Sequence, residues 1–361
     1  MRHSMKSSPI EVALIGYGYA GRTIHMPLLC ATPGLRLSVV ASRQPDKVRA
    51  DLPDASVVDD PLAALARPEV DLVVIASPND SHAPLAEAAL RAGKHVVVDK
   101  PFTVTLGQAR HLAALAERQR RVLSVFQNRR WDSDFLALRA IVSEGKLGEI
   151  VHVESRFDRF RPLVRERWRE QDVPGGGLWY DLGPHLVDQA LQLFGLPERI
   201  GGLFGRMREG AQTPDWCQIQ LDYGRPQMTL HASTLVGGGM PRFAVHGRGG
   251  SWVKYGLDVQ ESQLLAGMRP GDPGWGSDPL AGTFYPGDGS RCDEAVPVGD
   301  YAAYYAGVEA AIHSRGNNPV TPAQAVAVMA VIETATAAAE QGRMLPLPLT
   351  DAERENWNAG S

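Results

Sequence analysis

Two short segments carry the residue types that proton and hydride chemistry requires. In Gly93-Lys94-His95-Val96-Val97-Val98-Asp99-Lys100-Pro101 a lysine follows an apolar run of strand type. That position puts its ammonium at the carboxyl end of a strand, where α/β sheets hold their ligands. In Gly175-Gly176-Gly177-Leu178-Trp179-Tyr180-Asp181-Leu182-Gly183-Pro184-His185 a carboxylate and an imidazole are spaced i, i+4. If helical geometry begins by Leu182, with Pro184 in the first turn, Asp181 and His185 lie about one turn apart on one face. Imidazole titrates near neutrality, and a lysine stabilises negative charge developing on an oxygen. Alone, such a histidine is more often a satisfied core or surface group and such a lysine is usually solvated. The combination of Lys100, Asp181 and His185 argues for proton transfer.

A phosphate cradle precedes them. Gly16-Tyr17-Gly18-Tyr19-Ala20-Gly21 stands between an apolar run, Ile10–Ile15, and a helix-length segment from about Ala20 to Ala31, interrupted at Pro27. Strand, glycine turn and helix form the setting in which this pattern binds a dinucleotide. Gly16 permits the tight turn, Gly18 lets the backbone approach a pyrophosphate, and Gly21 lets the helix pack on the strand. At Tyr19 and Ala20 the helix start offers N–H groups and the positive end of the dipole. The next strand, Leu35–Ala41, ends in Ser42-Arg43, with Lys47 one turn beyond and no carboxylate at its tip. An acidic residue there selects NAD, whereas an arginine pairs with the 2′-phosphate of NADP. NADP is therefore expected over NAD, with Asp46 the competing signal.

Positioning these groups requires a parallel sheet. Between Ile10 and about Val125, strand-like runs (Leu35–Ala41, Val70–Ala76, His95–Val98, Val122–Phe126) alternate with helix-like ones (Pro61–Ala66, Ala83–Ala92, Thr105–Arg118). That rhythm implies βαβ units. After Gln127 it changes: a helix over Asp132–Glu144, a strand near Ile150–Phe157, and a helix stopping at Gly195 are followed by strands at Gly201–Met207, Trp216–Tyr223, Gln227–Thr234, Arg242–His246 and Ser251–Tyr255. Adjacent strands joined by turns indicate an antiparallel or mixed sheet. Met268–Gly289 reads as a long loop, and helices near Tyr301–Ser314 and Pro322–Gln341 complete the chain. The expected architecture is α/β: a dinucleotide-binding domain over residues 1–126, then an α+β domain with a large, mostly antiparallel sheet over 127–361.

The 361 residues suit two domains. A net charge of −4 argues against nucleic acid or an anionic membrane as principal partner. Cys30, Cys217 and Cys292 are too widely spaced for a metal site and suggest reduced thiols. Met1–Pro9 lacks an apolar signal core, Met5 offers an alternative start, and no run approaches 18 consecutive apolar residues. A cytoplasmic protein without a bound metal is expected.

Taken together, the glycine motif, Ser77-Pro78-Asn79 with His82, Asp99-Lys100-Pro101 and Asp181-x-x-x-His185 resemble the Gfo/Idh/MocA oxidoreductases along nearly the whole chain. Gln127-Asn128-Arg129-Arg130-Trp131-Asp132 and Tyr180–His185 are similar to a bacterial branch of NADP-dependent scyllo-inositol dehydrogenases. The resemblance implies a Rossmann domain, hydride transfer between nicotinamide and a secondary alcohol or ketone of a cyclic polyol or sugar, and a homo-dimer or homo-tetramer. It adds Ser77, Pro78, Asn79, His82 and Asp99 to the cofactor set, and Arg129, Asp158, Arg159 and Tyr180 to the substrate set. It also implies a cis Lys100–Pro101 bond, a state proline makes accessible. Asp99 stands where the family usually has Glu, a shorter carboxylate of the same charge.

On this reading His185 is the general base, Lys100 holds the reacting oxygen, and Asp181 binds a neighbouring hydroxyl or orients His185; the lysine and histidine can exchange proton-transfer parts. The arginines of Arg156–Arg169 are interleaved with Asp158 and Glu166 and followed by Glu170, which favours a salt-bridged surface over an anion site. An aldose or diketone reductase with the same cofactor, or a non-enzymatic NADP sensor on the same fold, remain the competing functions.

Overall fold

The computed structural model describes residues 8–359; the alternative start at Met5 lies outside them. Six strands form the first sheet: β1 (Ile10–Ile15), β2 (Leu35–Ala41), β3 (Ser56–Val58), β4 (Leu72–Ile75), β5 (His95–Val98) and β6 (Leu123–Val125). All pairings are parallel, in the order β3-β2-β1-β4-β5-β6. A parallel sheet covered on both faces needs unbroken apolar strands, and Val12–Ile15, Leu72–Ile75 and Val96–Val98 are buried throughout. Its covering helices are α1 (Met26–Ala31), preceded by a π-helical turn at Ala20–His25, α2 (Pro45–Asp51), α3 (Pro61–Leu65), α4 (His82–Arg91) and α5 (Leu106–Gln119). Strand order reverses between β1 and β4, which opens a crevice at their carboxyl ends.

The second half contains α6 (Ser133–Ser143), β7 (Ile150–Asp158), α7 (Gly177–Phe194), β8 (Arg199–Gly205), β9 (Trp216–Asp222), β10 (Gln227–Ser233), β11 (Phe243–Gly247), β12 (Gly250–Lys254), α8 (Gln260–Leu265), β13 (Gly282–Tyr285), β14 (Cys292–Glu294), α9 (Ala302–Ile312), α10 (Pro322–Gln341), β15 (Leu345–Pro346) and α11 (Asp351–Ala359). Nine strands make one sheet in the order β14-β13-β12-β11-β7-β10-β9-β8-β15. Only β7 and β10 run parallel; the other pairs are antiparallel. The fold is thus a Rossmann-like parallel sheet followed by a domain built on a mostly antiparallel sheet.

Two local expectations are corrected. Helix α7 begins at Gly177, so Pro184 lies inside it rather than in its first turn. Glycine at 175–177 hid the start, and Pro184 deprives the Tyr180 carbonyl of its helical N–H donor. The loop expected over Met268–Gly289 contains β13, whose Gly282 lets the strand pass the Trp252 ring; a Cβ there would lie 2.5 Å from it.

Helix α10 is, among the described residues, the one helix long and apolar enough to cross a membrane, but two thirds of it is buried inside the molecule. It packs against α5, α7 and β8. Thr321 and Gln324 cap its start reciprocally, and Gly342 ends it in a left-handed conformation. Nearby, the buried Arg130 guanidinium donates to both Asp188 oxygens of α7 (2.6 and 2.8 Å), to Pro319 O (2.9 Å) and to Gln324 Oε1 of α10 (3.0 Å). Removing the carboxylate strands that charge in the interior. Asp188→Ala is therefore expected to lower the unfolding free energy by about 3–5 kcal/mol in urea titration; a loss under about 1 kcal/mol would contradict this role.

Candidate active site

The crevice is a cavity of about 1020 Å³ between the two sheets' domains. Its Rossmann wall starts at the turn after β1. Gly16 has φ +94°, and a Cβ there would lie 2.6 Å from Ala76 O; a Cβ on Gly21 would lie 2.1 Å from Gly16 O. Both are backbone contacts that cannot give, so glycine is required. Nothing lies within 4 Å of a Cβ built on Gly18, which faces open space. Gly16, Gly18, Tyr19 and Ala20 line the cavity, with Ser42 and Arg43 at the end of β2 and Ser77 and Pro78 after β4. Among the described residues no carboxylate pairs with Arg43, whereas Asp46 is exposed and meets Arg49 (3.4 Å). Asp59 also lines this end. An open glycine turn beside an unpaired arginine fits a dinucleotide bearing phosphate.

Asp99 and Lys100 end β5 at the centre, and the Lys100–Pro101 bond is cis. Burial would raise the Asp99 carboxyl, but His25, Lys100 and His82 hold it down to about 2. Lys100 Nζ donates to Asp181 O (2.7 Å) and Asp181 Oδ1 (3.2 Å). Two of its three protons are thereby used, and one remains to donate. Arg159 and Arg169 approach the Asp181 oxygens at 3.7 Å each. Despite burial, Lys100, Arg159 and Arg169 hold this carboxyl well below the usual carboxylate range.

One turn along α7, His185 also lines the cavity. No described group hydrogen-bonds either ring nitrogen, and Nδ1 is buried without a partner. Burial, then Lys100, Arg129, Arg242 and Arg159, push its pKa well below the usual histidine range. The ring is therefore neutral at physiological pH and free to accept a proton. Phe157 stacks beside it (6.5 Å, 23°) and carries the guanidinium carbons of Arg129, Arg159 and Arg242 at 4.7, 5.2 and 5.4 Å from its centroid.

Other expected residues stand behind the cavity wall rather than in it. Gly21 packs on the glycine turn. His82 spans Pro101 O (2.8 Å) and Ser77 O (3.0 Å), tying the turns after β4 and β5 together. Asn79 donates to Gly175 O (2.9 Å). Tyr180 donates to Val104 O (3.1 Å), and burial followed by Glu333 pushes its phenol up to about 12. Asp158 meets His231 (2.9 Å). Lys47 does not line the cavity. Arg129 does, and reaches Glu261 (2.6 Å), which accepts from the Tyr19 hydroxyl (2.8 Å).

Glu261, Asn128 and the run Arg161, Arg165, Arg167, Trp168 and Arg169 also line the cavity. Glu261 had no sequence signal. The arginines did, but their density reads equally as a solvated surface. Glu170 pairs with Arg167 (3.0 Å) and Arg208 (3.0 Å), and Glu154 with Arg156 (2.9 Å). Among the described residues no carboxylate pairs with Arg161 or Arg165, so the salt-bridged surface forms only in part.

Residues 10–127 match the oxidoreductase family's NAD-binding Rossmann fold, and residues 139–349 its C-terminal alpha/beta domain, the two parts of Gfo/Idh/MocA proteins. The chain belongs to the Gfo/Idh/MocA family. It is an oxidoreductase with an NAD(P)-binding domain. The uncharacterized oxidoreductase YdgJ of Escherichia coli (strain K12) is 52% identical over 330 residues, 91% of this chain and 95% of its own. The scyllo-inositol 2-dehydrogenase (NADP+) IolW of Bacillus subtilis (strain 168) is 36% identical over 347 residues, 95% and 97% of the two chains. A crystal structure from Klebsiella pneumoniae superposes with TM-score 0.93 at 50% identity, covering 98% of this chain and 99% of that one.

The depressed histidines also set a pH dependence. The His95 ring, lowered to about 4 by burial and Arg121, accepts from Val122 N–H (3.0 Å) and must be neutral to do so. The unfolded chain takes up protons near pH 6.5, where folded His95 and His185 refuse them. Their contribution to stability is full above about pH 6.5 and is lost as pH falls toward 4. Histidine-ring NMR should find His185 neutral at pH 6, with Tm falling over this window; a protonated His185 at pH 6.5 would contradict the assignment.

Proposed function

We propose that this chain is an NADP-dependent dehydrogenase transferring hydride between nicotinamide and a secondary alcohol or ketone of a cyclic polyol, scyllo-inositol-like, or of a sugar. The observation that carries this reading is the unused Lys100 proton and the unpartnered, neutral His185 facing one cavity beside Asp181. The printed activity of the Bacillus relative supports the substrate class and the cofactor, and the unpaired Arg43 supports the 2′-phosphate.

Bound nicotinamide supplies the hydride acceptor or donor. The remaining work falls to this chain's side chains. In the oxidative direction Lys100 donates to the substrate oxygen and stabilises the charge that grows as its proton leaves. His185, whose Nδ1 has no partner, accepts that proton. Asp181 fixes the Lys100 ammonium and offers its second oxygen to a neighbouring hydroxyl. In reduction the proton comes to the carbonyl oxygen from Lys100 or from His185.

Lys100→Met should lower kcat by about 10²–10³-fold, the loss typical of one oxyanion donor, while NADPH still binds in a fluorescence titration. Near-normal turnover by a folded variant would sink the assignment. With myo-, scyllo- and chiro-inositols, glucose and xylose as substrates, NADP should be preferred to NAD. Arg43→Ala should raise KM for NADP about tenfold or more, given the strength of a charged hydrogen bond, and leave KM for NAD nearly constant; an NAD preference in the parent enzyme would remove the role given to Arg43.

A further inference from the structure

The part of the cavity wall that follows β7 carries a dense run of positive charge. Arg159, Arg161, Arg165, Arg167 and Arg169 all line the cavity, following the end of β7. Only Arg167 has a close carboxylate, Glu170 at 3.0 Å, and it shares that group with Arg208. Arg159 and Arg169 share the single Asp181 at 3.7 Å each, and Lys100 already holds that group at 3.2 Å. For Arg161 and Arg165 no described carboxylate lies within pairing distance.

These side chains stand on a held backbone. Arg159 N and Arg161 N donate to Ser233 O (2.9 Å) and Thr234 O (2.7 Å). Arg208, buried and paired with Asp215 (2.8 Å), donates to Arg161 O (3.3 Å) and Leu163 O (3.1 Å). Arg165 N donates to the buried Glu170 carboxylate (3.1 Å). Gathering like charges beside a cleft costs energy unless an anion relieves the repulsion.

Position decides which anion. The cofactor's phosphates have the glycine turn and Arg43 on the Rossmann wall. Arg159 and Arg169 instead flank Asp181, at the reacting end beside Lys100 and His185. Resting on the dehydrogenase reading above, we infer that the preferred polyol or sugar carries an anionic group, a carboxylate or a phosphate, which Arg161, Arg165 and their neighbours hold while Lys100 engages the reacting oxygen. Burial and the charges of Arg159, Arg165 and Arg167 lower the Arg161 pKa, against the opposing pull of Asp181.

Matched pairs test this: inositol against inositol monophosphate, and glucose against glucuronate and glucose 6-phosphate, each with NADP. The anionic member should win in kcat/KM by about tenfold or more at low salt, with the advantage shrinking as salt screens it. The phosphate and carboxylate arms identify the group. In the R161Q/R165Q variant the ratio should fall toward parity. Equal or better use of the neutral member by the parent enzyme overturns the inference. So does an equal loss of NADPH affinity in the variant, which would assign the arginines to the cofactor. If no polyol or sugar turns over, the dehydrogenase reading fails by itself. Calorimetric binding of the same pairs to the NADPH-loaded protein then still decides the anion site. The parent protein's preference and its salt dependence suffice if the variant does not fold.

Discussion

Everything in the cleft depends on the contact between Lys100 and Asp181. The lysine ends a strand of the first sheet; the carboxylate belongs to a helix of the second domain. The ammonium meets both the Asp181 carbonyl and its side chain, so chain segments 81 residues apart are registered to one another in the cavity. A charge-assisted contact in a largely desolvated place is stronger and more directional than one in water. It also sets the orientation of α7, and with it the direction in which His185 points. Pro184, inside that helix, keeps the backbone from closing its full hydrogen-bond ladder at this spot.

A second constraint is electrostatic. Phe157 presents its ring to three guanidinium groups, so the floor of the site is both apolar and ringed by cations. Asp132 and Asp134, buried beside Arg129 (3.3 Å) and Arg242 (3.6 Å), face these guanidinium groups from the interior. Burial raises the Asp132 and Asp134 carboxyls, so this support is held at an electrostatic cost. The result is a site in which an imidazole stays uncharged and a carboxylate stays charged.

The sequence made the first domain readable because parallel strands have to be apolar throughout and glycine turns admit no substitute. Gly16 and Gly21 are legible for that reason, as are Lys100, Asp181 and His185, which stand at strand ends and helix turns. Less was readable where contacts are long-range. Nothing near Glu261 announces that it will reach Arg129 and Tyr19. The arginine run was visible, yet which members find carboxylates depends on how the segment before α7 folds over the cleft. Tyr180 and Asp158 belong to the same motifs as their cavity-lining neighbours, but alternation along helix and strand turns them to other partners.

Helix α10 has a consequence for how the molecule is made. It lies near the end of the chain, yet it packs on α5 of the first domain, and Glu333 accepts from Leu106 N–H at the start of α5 (2.7 Å). Arg110 of α5 likewise waits for Glu353 of α11 (2.6 Å). A ribosome adding about 5–20 residues per second leaves that surface uncovered for roughly 10–40 s after α5 is synthesised. The dinucleotide-binding half therefore begins its life with an open flank, and completing the last helices seals the first sheet as well as the second.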